Sequence, residues 1–289
     1  MPTTPRKVRR SPKTGKKPAH TAATADRYAL YQLAVQEPDA DLDFLDRVYR
    51  KRFGRLPSTL REDFAGTAYT ASRWVQRRGS NLAVAVDLDP VPLRWFARHI
   101  EPGLAPDQRE RLVVKRADVT SADVRRGIGG TGGGFDAVFA FNFSYWVFKQ
   151  REALLGYFKS VRASLGKQGI FLLDHFGGSD AMVQLVERTR KKGFVYVWDQ
   201  HSFDPISGNL TCFIGFEFKD GTSMPRAFRY DWRLWTLPEI RDLLNEAGFP
   251  TVEVYIEKDD KDGNGTGVYT LHKRAAADRA VISYVVAAP

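Results

Sequence analysis

The chain has 289 residues, of which 43% are hydrophobic and 27% charged, proportions that exclude a wholly disordered or fibrous protein. It has no run of 18 apolar residues and no apolar leader at its N-terminus, so we predict neither a membrane-spanning helix nor a secretory signal. A single cysteine, Cys212, can form neither an internal disulfide nor a zinc site by itself. We therefore predict a reducing, cytoplasmic location and no metal.

The positive charge is concentrated at the N-terminus. The formal net charge is +10, and residues 1–20 contain seven Lys and Arg residues and no acid, which leaves +3 for the rest of the chain. Four prolines in the same segment argue against a helix. We interpret residues 1–25 as a disordered basic arm. It is either a solubilising tail or an electrostatic tether for nucleic acid or localisation.

A short helical region precedes the main domain. Apolar residues near Tyr28–Ala34 and along Leu42–Phe53 predict two helices, and Gly54 is typical of a helix C-cap. We assign residues 26–57 to an N-terminal helical cap and residues 58–289 to one larger domain. Tyr28 and Tyr31 either pack simply or close over a ligand of that domain.

The next segment alternates short apolar strands with amphipathic helices, which predicts a parallel sheet covered on both faces. The predicted strands are Ser58–Glu62, Leu82–Val86, Leu112–Lys115, Phe135–Phe141 and Gly169–Leu173. The predicted helices are Ala68–Arg77, Pro90–His99 and Arg151–Leu165, and Gly127–Gly134 is interpreted as a loop. The fold class is therefore α/β, with a doubly wound, mostly parallel sheet.

The pattern then changes to alternating, aromatic-rich stretches separated by turn residues. Phe194–Trp198, Leu210–Phe218 and Met224–Trp232 predict an antiparallel β-meander inserted at about residues 190–235. After it come a helix at Pro238–Ala247, a strand at Thr251–Glu257, an acidic glycine-rich loop at Lys258–Gly267 and a strand at Ala280–Ala287. An uncovered edge of the meander could pair two copies into a homodimer.

Ligands of such sheets bind beyond the carboxyl ends of the strands, so the residues that follow each strand are the candidate site. Asp87 follows the second strand, where a carboxylate can accept both hydroxyls of a ribose, and Asp89 before Pro90 suits a helix cap. Asp118 follows the third strand and could either cap a helix or accept from an adenine amino group. The turn around Gly66 could bring backbone N–H groups close to a ligand or be a plain tight turn.

Two further strand ends carry side chains suited to catalysis or substrate binding. Asn142 to Trp146 combines polar groups with aromatic rings that could hold a flat acceptor. His175 follows the fifth strand and is either a general base, because its pKa is normally near neutrality, or a hydrogen-bonded structural residue.

The ordered set of these features resembles the class I S-adenosylmethionine-dependent methyltransferases over roughly residues 58–289. Glu62 matches the acidic position of the family's first motif and Gly66 its central glycine, while Phe64 and Ala68 stand where glycines are usual. Segments 135–138, 164–169 and 236–249 match later motifs. The resemblance implies a Rossmann-like, seven-stranded sheet with a reversed last strand, and S-adenosyl-L-methionine as cofactor. It implies cofactor contacts at Glu62, Phe64, Gly66, Asp87, Leu88, Asp118, Val119 and Asn142.

The predicted function is in-line methyl transfer to a nitrogen or oxygen of a small molecule. His175 is the candidate base and Tyr145 a second positioning group, with Tyr145, Trp198 and Arg229 as substrate contacts. If arginines of the meander line the cleft, an anionic acceptor is favoured. The alternatives are an RNA methyltransferase that uses the basic arm, a noncatalytic nucleotide-binding module and a nicotinamide oxidoreductase.

Overall fold

A computed structural model describes residues 20–124, 134–259, 261 and 265–289. Residues 1–19, which hold all seven cations of the predicted arm, lie outside the described residues. So do most of the predicted loop at Gly127–Gly134 and part of the predicted loop at Lys258–Gly267. These predictions stay untested.

The main sheet has the predicted doubly wound arrangement. Its order is β11-β10-β12-β5-β4-β1-β2-β3, with β1 to β5 mutually parallel and β12 antiparallel to both β5 and β10. The strands are β1 Thr59–Asp63, β2 Leu82–Asp87, β3 Leu112–Arg116, β4 Phe135–Ala140, β5 Leu165–Gly177, β10 Thr251–Asp259, β11 Gly265–His272 and β12 Val281–Ala288. The predicted Rossmann-like class with a reversed last strand is confirmed.

One edge of the sheet carries a strand that the sequence did not predict. β11 pairs with β10 as an antiparallel hairpin and gives the sheet eight strands where seven were expected. Most of its side chains are exposed, so it needs no apolar face. Its two glycines, Gly265 and Gly267, instead suggested a loop.

Helices cover both faces of the sheet. They are α1 Arg27–Val35, α2 Pro38–Phe53, α3 Tyr69–Arg77, α4 Pro90–His99, α5 Pro106–Glu110, α6 Arg151–Ser164 and α7 Leu237–Glu246. On one face Leu42 and Leu45 of α2 and Trp74 of α3 pack in a single core cluster, and on the other α6 and α7 share a second cluster. Gly54 ends α2 with a φ of 72°, as its C-cap role requires.

A second, antiparallel sheet holds the inserted meander. It runs in the order β6-β7-β8-β9, with β6 Leu185–Lys191, β7 Phe194–Phe203, β8 Asn209–Phe218 and β9 Ser223–Arg233. The polar strand β6 was not predicted. Leu30 of α1 is buried against Phe194, Ile214 and Phe216 of this sheet. Thus α1 docks on the meander, and does not pack with α2 and α3 in the core cluster of the main sheet.

Candidate functional site

The turn between β1 and α3 keeps a left-handed backbone without the usual glycines. Phe64, Gly66 and Ala68 have φ angles of 56°, 54° and 49°. Left-handed conformations at the two non-glycine residues cost roughly 1–2 kcal/mol each, and such strain concentrates at functional sites. An added Cβ at Gly66 would meet nothing within 4 Å, so the turn leaves open space beside its backbone.

Asp87 ties this turn to the end of β2. Its Oδ2 accepts a hydrogen bond from the Gly66 N–H at 2.6 Å, and its Oδ1 accepts from the Asp89 N–H at 2.8 Å. Burial raises the pKa of this half-buried carboxyl. Asp89 caps α4 by accepting from the Val91 N–H, which confirms its predicted role. The Asp87 carboxylate therefore lies beside the first turn, and its ribose role stays a prediction.

Glu62 is buried and caps helix α3. Its Oε2 accepts from the Ala71 N–H at 2.8 Å. This replaces the cap that Ala68, at the N-cap of α3, cannot supply. Burial raises the pKa of Glu62 to about 8.

Glu62 also lines a small cavity of about 20 Å³ that is rich in carboxyl groups. Asp41 contributes a second carboxyl, whose pKa burial raises to about 6 and which accepts from the Tyr284 hydroxyl. Asp63 is a third: its Oδ2 accepts from Arg61 and Tyr157, each at 2.8 Å.

Two acceptor atoms at this cavity lack donors. Within the part of the chain that the structure describes, Asp63 Oδ1 and Gln36 Oε1 are buried and have no hydrogen-bond partner. Buried acceptors without donors cost free energy, and a cavity of this size holds about one water molecule, so it suits a single donor such as a water or an N–H group.

A second left-handed turn follows β4 and is held by Asp174. Asn142 and Phe143 have φ angles of 57° and 54°, and their N–H groups donate to Asp174 Oδ2 at 2.7 Å and Oδ1 at 2.9 Å. Successive N–H groups in such a turn form a concave anion site, here filled by the protein's own carboxylate. Burial raises the pKa of Asp174 to about 7.

Asn142 lines two cavities: the small one beside Asp41, Glu62 and Asp63, and a larger, aromatic cavity of about 340 Å³. The aromatic cavity lies between the main sheet, the meander and α1. Its lining residues are Tyr31, Val35, Asn142, Phe143, Phe176, Asp180, Leu185, Glu187, Tyr196, Trp198, Gln200, Ile214, Tyr230, Trp232, Ala280 and Ile282. It therefore combines seven aromatic rings with two carboxylates, and no Lys, Arg or His lines it among the described residues.

His175 is not at this cavity, so the predicted general-base role is wrong. Its ring is 3% exposed, Nε2 donates to the Trp235 carbonyl at 2.9 Å, and burial lowers its pKa to about 4. The reason is that β5 extends to Gly177. Alternation along the strand then turns His175 to the side of Phe171 and Leu173, into the core.

Tyr145 and Arg229 are also placed differently from the prediction. Tyr145 is fully buried and donates to the Asp174 carbonyl at 2.9 Å, so it supports the turn without reaching the cavity. Arg229 pairs with Asp231 at 2.8 Å and its side chain is 64% exposed, because it lies on the outer side of β9. Tyr230 and Trp232 line the cavity from the same strand, as Trp198 does from β7.

Three further predicted cofactor contacts lie beyond β2 and β3. Asp118 Oδ1 accepts from the N–H and hydroxyl of Thr120, each at 2.7 Å, which stabilises the local turn. Val119 is buried, whereas Leu88 is 63% exposed beside Asp87. The turn role of Asp118 is observed, and the cofactor contacts of all three stay predictions.

Helix α1 crosses the cleft between α4 and the meander. Trp95 Nε1 on α4 donates to Asp26 Oδ2 at 2.6 Å, and Gln32 Nε2 donates to Thr67 Oγ1 in the first turn at 2.8 Å. The rings of Tyr31 and Phe228 on β9 lie 5.1 Å apart. The helix thus covers the first turn. No sequence pattern predicted the contacts of Gln36, Asp41, Asp63, Asp180 and Glu187.

The described ranges contain neither a candidate membrane-spanning helix nor a candidate metal site. No helix in them is long and apolar enough to cross a membrane. No group of three or more His, Cys, Asp or Glu side chains in those same ranges is arranged to hold a metal ion.

No family model matches the sequence, and no curated protein matches it. Solved structures do match the fold. A S-adenosylmethionine-dependent methyltransferase from Clostridium acetobutylicum is 16% identical, with a TM-score of 0.59 over 91% of this chain and 98% of that one. The amino pentose methyltransferase CalS10 from Micromonospora echinaspora is 14% identical, with a TM-score of 0.57 over 89% and 95%. The sugar N-methyltransferase KedS8 from Streptoalloteichus is 15% identical, with a TM-score of 0.55 over 100% and 98%.

The chain therefore has the class I S-adenosylmethionine-dependent methyltransferase fold, as its motifs predicted. Identities near 15% establish this fold and leave the reaction to be argued from the site.

Proposed function

We propose that the protein is an S-adenosylmethionine-dependent methyltransferase that methylates an amine nitrogen of a small molecule with a flat or apolar body. The observation that carries this proposal is the aromatic cavity, which has two carboxylates and no cationic lining residue among those described. It adjoins the strained first turn through Asn142. A cavity of about 340 Å³ is within the usual range for small-molecule sites.

The residues around the first turn fit the cofactor. The open space beside Gly66 admits a ligand close to the backbone, and Asp87 offers a carboxylate where a ribose would lie. The unpartnered oxygens of Asp63 and Gln36 suit the ammonium group at the methionyl end. When bound, the cofactor supplies a methyl group on a sulfonium, which already has a good leaving group.

The protein then has to align the acceptor and exclude water. The rings of Tyr230 and Trp232 stack with their centroids 4.4 Å apart. Such rings attract the positive charge of a protonated amine through cation–π interactions and pack against the flat body of the same acceptor. The amine must lose a proton before its nitrogen attacks. The side chain of Glu187 lines the cavity and has no hydrogen-bond or ion-pair partner among the described residues, and we assign its carboxylate to take that proton.

The position of the arginines also supports an amine over an anionic acceptor. Arg226 stacks over Phe213 at 4.2 Å and Arg233 over Trp235 at 3.8 Å, and neither lines the cavity. Two structural neighbours, an amino pentose methyltransferase and a sugar N-methyltransferase, also favour an acceptor that carries an amine.

Calorimetric titration with S-adenosylmethionine, and with NAD as a control, tests the cofactor assignment first. We expect binding of the sulfonium cofactor and none of NAD. Binding of NAD alone would favour an oxidoreductase, and binding of neither would favour a noncatalytic module.

The acceptor class is tested with matched amine and alcohol compounds of the same aromatic or sugar skeleton. We expect methyl transfer to the amines only. Glu187→Gln should reduce the rate with an amine, whereas Arg188→Gln, the next residue along β6, should not, because Arg188 pairs with Glu217 and does not line the cavity. Transfer to the alcohols alone would overturn the amine assignment.

A further inference from the structure

A second groove, of about 450 Å³, lies away from both cavities described above. One wall is α7, with Leu237 and Arg241, and the floor is β10. The other wall is the end of β11 and the residues that follow it, Leu271 to Ala275. It shares no lining residue with the aromatic cavity, although the chain from Lys273 to Ala280 connects the two.

The rim of this groove is cationic. Arg241, Lys273 and Arg274 line it, and none of their three side chains has a hydrogen bond or ion pair with any residue that the structure describes. His272 lies beside them and bonds the Thr270 hydroxyl through Nε2 at 3.0 Å. The one acid in the lining, Glu253, is already paired with Arg52 at 2.6 Å. The groove therefore carries an uncompensated positive charge.

The floor of the groove is aliphatic. Val252, Val254 and Ile256 alternate along β10 and share the side of the strand that faces α7. Burying such side chains contributes about 25 cal/mol for each Å² of apolar surface removed from water, so an apolar ligand segment would be stabilised here.

We propose that this groove binds a small amphipathic anion, with a carboxylate or phosphate head on an aliphatic chain. The head would lie among the cations and the chain along β10. The volume fits a ligand of drug-like size. A single-stranded nucleic acid is disfavoured because no Phe, Tyr or Trp lines the groove among the described residues, and stacking on such rings is the usual way of holding bases.

The test is calorimetric titration of the full chain with dodecyl phosphate, below its micelle concentration. We expect one binding site for dodecyl phosphate and weaker binding of inorganic phosphate or dodecanol. The double variant Arg241→Gln with Arg274→Gln should weaken binding of dodecyl phosphate by about ten-fold or more. Ile256→Gln, on the floor of the groove, should weaken it too, and leave binding of inorganic phosphate unchanged.

The matched control is Arg94→Gln with Arg98→Gln, which removes two exposed cations of α4 at the other edge of the sheet. It should bind dodecyl phosphate as the wild type does. Three results would overturn the proposal: no binding, equal loss in the control and groove variants, or displacement of dodecyl phosphate by an RNA oligonucleotide. Cofactor titration of the same variants should be unchanged, which separates this proposal from the proposed methyltransferase function.

Discussion

Asp87 has two roles that a conservative substitution can separate. Its carboxylate accepts from the Gly66 and Asp89 N–H groups, and the proposed function adds the ribose hydroxyls. A hydrogen bond to a charged group contributes about 1.5–3 kcal/mol. We therefore expect Asp87→Asn to raise the Kd for S-adenosylmethionine at least about ten-fold in calorimetry. Asp89→Asn, which keeps a capping side chain, is the control. An Asp87→Asn variant of wild-type affinity would contradict the assignment.

His175 is expected to stabilise the fold without taking part in catalysis. Its substitution by Phe removes the donor to the Trp235 carbonyl, and an unpaired buried group costs about 1–3 kcal/mol. Urea denaturation should show a loss of that size in the free energy of unfolding. The pH profile of kcat/KM should keep its shape, and loss of its acidic limb would restore His175 to the mechanism as a general base.

Glu62 links stability to pH. Burial raises the pKa of folded Glu62 to about 8. The protonated carboxyl therefore contributes fully to stability below the pKa of the unfolded state, and this contribution is lost as pH rises toward and through 8. Asp41 and Asp174, with pKa values raised to about 6 and about 7, act with the same sign. We expect Glu62→Gln to gain stability relative to wild type at about pH 8 but not at about pH 4, measured by thermal denaturation. The exposed Glu37→Gln is the control, and equal shifts in both variants would contradict this reading.

At the scale of elements, α1 depends on a few polar contacts for its position over the cleft. Trp95→Phe removes the donor to Asp26 but keeps a ring beside Tyr28, whose centroid lies 5.8 Å from that of Trp95. We expect faster amide hydrogen exchange along α1 and weaker cofactor binding, because more of α1 must then be ordered on binding. Leu33→Ala, which truncates a side chain of α1 that is 63% exposed, should change neither.

The sequence predicted the buried parallel strands because each needs a short, nearly continuous apolar run, as Leu82–Asp87 shows. It missed β6 and β11, because both edge strands are largely exposed, and β6 is mostly polar while β11 begins with two closely spaced glycines. It also ended β5 too early. Pairing with β12 carries β5 to Gly177, and only that pairing decides which side of the sheet His175 faces.

At the scale of the whole molecule, the two sheets and α1 enclose the aromatic cavity between them. The seven cations of the basic arm all precede residue 20, so they come before every residue that lines this cavity. Removal of residues 1–19 should therefore leave cofactor binding and methylation of a small amine unchanged. RNA binding at low salt, measured by filter retention, should fall together with its salt dependence. RNA binding that survives the truncation would rule out the arm as a tether.

The sequence by itself determined the α/β class, the inserted meander and the strand ends at which Glu62, Gly66 and Asp87 stand. It could do so because these depend on local periodicity and on residues that follow one another in the chain. Only the tertiary structure decided which side chains meet. Asp63 and Gln36 come together at one cavity, Glu187 and Trp198 line another, and Arg229 and His175 turn away from both. These contacts depend on strand pairing and helix docking between residues far apart in sequence, so no local sequence pattern predicts them.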